Sequence, residues 1–186
     1  MKLHFKEKGF TLIELVIVIV ILAVIAALAL PRFASLSSEA RISALEGLAG
    51  GMDAAVSAQH SIALLNENEG GLENGFIANG ILFDQGYPVA LDFDVPFGSF
   101  DVDNDPDSIP EILEAMDIEL SGWTSGEIIG GSENGQLTRE LYVTLSDVIE
   151  DGSDANDIIT TNCYVSYDSF LLVSIRPVIR VVTSGC

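Results

Sequence analysis

The sequence predicts an α+β protein, in which one long N-terminal helix packs on an antiparallel β-sheet. Three observations predict it. An unbroken apolar run from Leu15 to Leu30 continues into helically spaced apolar residues as far as Leu65. From residue 118 onward, β-branched and aromatic residues alternate with polar ones in short runs. Between the two lies a stretch rich in Gly, Asn, Asp and Pro, which favours turns.

The N-terminal element comes first. Residues 1–9 carry Lys2, Lys6 and Lys8 and end on Gly9. From Phe10 to Leu30 the chain is apolar apart from Thr11 and Glu14. At ~1.5 Å per residue this stretch makes a helix of about 31 Å, which matches a bilayer core. The basic flank would stay cytoplasmic. A removed secretory signal would need a cut near Ala27-Leu28-Ala29, and Pro31 directly behind that point would hamper it. A passive anchor explains the length but leaves out Glu14, whose carboxylate costs ~2.5 kcal/mol or more near the centre of a bilayer helix. An acidic residue in such a segment is by default a functional one with a partner to be found.

Gly9-Phe10-Thr11-Leu12-Ile13-Glu14-Leu15 resembles the class III signal of type IV pilins and pseudopilins. The resemblance implies that a prepilin peptidase cuts after Gly9 and that Phe10 becomes the N-methylated first residue. It implies that Glu14 pairs with an N-terminal amine, its own or a neighbour's, as subunits assemble. Two opposite charges in a low dielectric satisfy each other and would be costly alone. Pro31 falls where many pilins carry a helix-kinking proline. The implied domains are a leader (1–9), a transmembrane and filament-core helix (10–32), and a globular head (33–186) with the type IV pilin roll.

After the anchor, Phe33, Leu36, Ala40, Leu45, Leu48, Met52, Val56 and Ile62 form the predicted buried stripe of the helix, with Ser43, Glu46 and Gln59 on its wetter face. Asn66 to Gly71 ends the helix. Short apolar pieces follow at Phe76-Ile77, Ile81-Leu82-Phe83 and Val89 to Leu91, with Gly86-Tyr87-Pro88 read as a turn. Asp101, Asp103, Asp105 and Asp107 alternate as in a Ca²⁺ loop, but Pro106 stands where the loop needs Gly and Ile112 where it needs Glu. They are weak metal candidates, and a solvated acidic loop fits them better. Pro110-Glu111 opens a short helix to about Met116.

Strands are predicted at 119–124, 137–145, 163–167 and 170–182, with turns at Gly130-Gly131 and 132–135. Trp123 and the tyrosines read as sheet core. Residues 150–157 read as a second solvated acidic loop. Cys163 and Cys186 are the two cysteines, and with an export-like N-terminus they suggest one disulfide, worth ~3 kcal/mol.

The chain holds 28 acidic residues against eight basic ones, a formal net charge of −20. Loss of residues 1–9 would remove all three lysines and only Glu7. Such a surface repels nucleic acid and anionic headgroups. There is no Ser/His/Asp grouping, no phosphate-cradling Gly loop and no paired metal-ligand spacing around His4 or His60, so neither enzyme chemistry nor a cofactor is expected.

Pro31 to Arg41, Ala44 to Gly47, Gly86-Tyr87-Pro88 and the Gly185-Cys186 end are similar to mannose-sensitive haemagglutinin (MSHA)-type pilins. A C-terminal disulfide loop is usual in true pilins and absent from major secretion pseudopilins. The resemblance implies a helical homopolymer, held in the inner membrane before the pilus assembly machinery builds it into a surface filament for attachment and biofilm formation. The alternatives are a pseudopilin or minor pilin, and a membrane-tethered acidic Ca²⁺-binding module.

Overall fold

A computed structural model of the protein describes residues 10–65, 76–78, 81–90, 109–118, 120–133, 136–149, 154–170 and 175–186. The chain divides into two compact units between Ala40 and Arg41. Helix α1 spans Leu12–Leu65. Its first part, with Phe10 and Thr11 before it, makes up the described portion of the N-terminal unit. All strands and the remaining helices belong to the second.

In the second unit, β4 (Trp123–Glu133), β5 (Gln136–Leu145), β6 (Tyr164–Phe170) and β7 (Val178–Val182) form an antiparallel sheet in the order β4-β5-β6-β7. The register pairs Leu141 with Tyr167 and Val143 with Val165. Side chains alternate between faces along a strand, so these four share one face. That face meets Leu45, Leu48, Met52, Ala55 and Val56 of α1 in the main core. Each fully buried side chain of this size contributes roughly 1.5–3 kcal/mol.

The expected stripe therefore holds from Leu45 to Val56. Leu36 and Ala40 are exposed, and Ile62 is only half-buried, its place deeper in the core taken by Ala63.

Three short strands, β1 (Phe76–Ala78), β2 (Ile81–Asp84) and β3 (Tyr87–Pro88), make a second small sheet between α1 and the main one in sequence. The predicted turn at Gly86-Tyr87-Pro88 sits one residue earlier. Gln85 and Gly86 have φ of 52° and 85° and join Asp84 to its partner Tyr87, while Tyr87 and Pro88 are strand. Two positive φ values in a row make the tight hairpin that matches strand twist. His60 of α1 stacks on Tyr87 at 4.3 Å and donates from Nδ1 to the Gly86 carbonyl at 3.0 Å. The Tyr167 hydroxyl donates to the Pro88 carbonyl at 2.7 Å, and the Ala90 amide donates to Ser169 Oγ at 3.2 Å. These bonds satisfy backbone groups of a segment that has little sheet of its own.

Helix α2 is Glu111–Glu114, entered through Pro110 as predicted. Three strand readings need correction. β4 continues through Gly130 and Gly131 to Glu133, because a register shift between Ile129 and Gly131 absorbs the glycines as a bulge instead of a turn. β6 continues past Tyr167 to Phe170, and β7 begins only at Val178, after Pro177, which has no amide to give a ladder. Residues 154–157 are no loop but the start of α3 (Ala155–Thr161): Asp154 accepts from the Asp157 amide at 3.0 Å and Asp157 accepts back from the Asp154 amide. This is a reciprocal cap.

Helix α3 lies so close to β4 that a Cβ on Gly126 would stand 2.5 Å from the Ala155 nitrogen. Cys163 and Cys186 form the expected disulfide, with 4.9 Å between Cα atoms.

Candidate assembly site

The site starts at the first described residue. Phe10 is 86% exposed, and α1 begins two residues later. Thr11 is the residue before the helix and Glu14 its third member. The Glu14 amide donates to Thr11 Oγ1 at 3.3 Å, and Glu14 Oε2 accepts from the Thr11 amide at 2.9 Å. The Thr11 hydroxyl also donates to Glu14 Oε2 at 2.7 Å. Free amides at a helix start need acceptors, and a Thr-x-x-Glu box supplies two of them reciprocally. The carboxylate also lies where the helix dipole favours negative charge.

Sequence reasoning picked out Glu14 and missed Thr11. The signal was present, since Thr11 stands three residues before Glu14 at the head of an apolar run.

From Leu12 to Leu28 the large apolar side chains of α1 are all exposed, from 42% at Val16 to 80% at Leu12. A helix that is apolar all round has no stable face for water and calls for lipid or other protein. Among the described residues no helix is long and apolar enough to cross a membrane. The side chains of residues 29–35, which include the end of the apolar run, lie outside them.

The other sequence-predicted positions fall as follows. Gly9, at the expected cut, lies outside the described residues, as do Asp101, Asp103, Asp105 and Asp107. Pro31 lies within α1. No group of three metal-ligating side chains occurs among the described residues.

The head handles its charges locally. Arg41 reaches Asp147 at 3.0 Å, Arg176 reaches Asp53 at 2.6 Å, and Arg180 pairs with Asp168. Arg139 is buried beside Asp84 and Glu127. Burial pulls its pKa down and the two carboxylates oppose this. Burial pushes the Tyr167 phenol well up, with Arg176 opposing.

Residues 4–30 match the prokaryotic N-terminal methylation motif. The chain is 47% identical over 55 residues to the fimbrial protein EcpC of Eikenella corrodens. That match covers 30% of this chain and 36% of the relative, so the chain spans about a third of the length of the curated relative it matches. No solved structure matches.

Proposed function

From the support that the methylation motif, the fimbrial relative and the α+β layout give to a type IV pilin, we propose that this chain is the structural subunit of a surface filament. A peptidase removes residues 1–9, and Phe10 becomes the methylated first residue. The helix from Phe10 to about residue 32 holds the subunit in the inner membrane, and the assembly machinery then transfers it into a helical homopolymer. The filament serves attachment and biofilm formation, in the manner of the MSHA-type pilins that the sequence resembles.

One observation carries the reading. The segment Leu12–Leu28 of α1 exposes its large apolar side chains with a single carboxylate at its start, while the head buries its own apolar residues and closes with a disulfide. From Leu12 to Leu28 those large apolar side chains are left exposed. Identical neighbours repeated along a screw axis would cover them. The Glu14 carboxylate, once out of lipid, pairs with the amine created at Phe10. The role is structural, and the chemistry of maturation belongs to the peptidase.

The test is electron microscopy of sheared filaments with mass spectrometry of the subunit N-terminus. Glu14→Ala should stay in the membrane, be cut after Gly9, and yield no filaments. Normal filaments from that variant would sink the assembly role. Scarcity of the wild-type chain in the sheared fraction would make it a minor or priming subunit instead.

A further inference from the structure

Resting on that reading, we propose that Thr11 is a positioning residue for Glu14. It holds the carboxylate against the start of the helix, hydrogen-bonded, until an ammonium reaches it.

The geometry is specific. Both bonds from Thr11, amide and hydroxyl, fall on Glu14 Oε2 at 2.9 and 2.7 Å. The hydroxyl oxygen in turn accepts the Glu14 amide at 3.3 Å. Among the described residues no other group bonds the carboxylate, so Oε1 remains for a cation. A carboxylate in an apolar solvent needs donors, and one without them swings, seeks water or takes a proton. Thr11 supplies two donors, its backbone amide and its side-chain hydroxyl, before any neighbour is present. It also fixes which oxygen faces outward. An incoming ammonium then adds to Oε1 without displacing Thr11, and the arriving charge meets a carboxylate already oriented. No other ammonium competes for it in the mature chain, because every lysine lies in residues 1–9.

The hydroxyl is what distinguishes Thr11 from a spacer. Thr11→Val keeps the shape and branching and removes the donor. Thr11→Ser keeps the donor and removes the methyl. In the full-length chain expressed with its own assembly system, both should be found in the membrane. Sheared filament yield should fall about tenfold for Thr11→Val, the factor that loss of one hydrogen bond to a charged group carries. It should return to within about twofold of wild type for Thr11→Ser. Wild-type yield from Thr11→Val overturns the proposal. So does a Thr11→Ser yield as low as that of Thr11→Val, because the methyl rather than the hydroxyl would then matter.

Amide hydrogen exchange of the full-length precursor in micelles decides the point even where Thr11→Val resists cleavage. The Glu14 amide should exchange about tenfold faster in Thr11→Val than in wild type or Thr11→Ser. Equal rates overturn the box. Glu14→Gln separates the two readings, because Gln completes a capping box without charge. Normal filaments from Glu14→Gln would mean that the pairing reading has failed. Absent filaments from Glu14→Gln with normal filaments from Thr11→Val would mean that only the role of Thr11 has failed.

Discussion

Leu22 and Leu45 lie on the same helix, 23 residues apart, and their surroundings are opposite. Leu22 is 59% exposed, and its large apolar neighbours Val18, Ile19, Ile21, Val24 and Ile25 are exposed too. Leu45 is 0% exposed, seated against the sheet with Leu48 and Met52. One continuous backbone thus carries two kinds of apolar surface. Around Leu45 the apolar residues form a stripe, which a single sheet can cover, so the head is complete by itself. Around Leu22 they cover the whole circumference, which no single neighbouring element can enclose. That region calls for lipid or other protein to cover it. Stability of the head and assembly of the helix should therefore respond to different substitutions.

The largest expected effect tests this separation directly. Leu45→Ala should destabilise the head by about 4 kcal/mol, within the range for buried Leu. Leu22→Ala should leave head unfolding unchanged and alter only filament yield. Denaturant unfolding followed by near-ultraviolet circular dichroism measures both. Equal losses from the two would mean that the helix is one cooperative unit and that the comparison is wrong.

A second effect is smaller and confined to the head. The Cys163–Cys186 bond closes a segment with a sequence separation of 23 and holds β7 to the start of β6. Replacing both cysteines with Ser should cost about 3 kcal/mol. Unfolding with and without reductant checks it, and the helix around Leu22 should be unaffected.

The two regions also differ in how much their residues foretold. The start of α1 was legible because its signals are local: an apolar run and one carboxylate near its head. The helix stripe from Leu45 to Val56 was legible for the same reason, since its period is set by one helix. The sheet was legible in outline and wrong at its ends. Gly130-Gly131 looked like a turn, and only the pairing with β5 makes them a bulge. Residues 150–157 look like an acidic loop by their charge alone. Asp154 and Asp157 cap α3, and three-residue spacing was the missed clue. Thr11 and Glu14 have the same three-residue spacing. In both places the carboxylate is a charge and also a hydrogen-bond acceptor for a backbone amide.

The smallest effect concerns a buried hydroxyl and is read through pH. Tyr167 is fully buried in the core face of β6, and its hydroxyl donates to the Pro88 carbonyl. Burial raises its pKa well above 10.0, with the nearby Arg176 pulling the other way. A folded-state pKa above the unfolded value means stability that is full below pH 10.0 and lost as pH rises toward the folded value, since only the unfolded phenol ionises readily. Tyr167→Phe removes both the hydrogen bond and this pH dependence. Near pH 7 the variant should be less stable by about 1 kcal/mol, one ordinary hydrogen bond. Above pH 10 the gap should close, because wild type alone loses stability through this residue. Tyr142 is also shifted upward, by burial and then by its bond to Glu140, but it is present in both proteins and cancels in the difference. A gap that stays constant from pH 8 to pH 11 would show that Tyr167 does not lie in the sealed core that sets the head apart from the exposed helix.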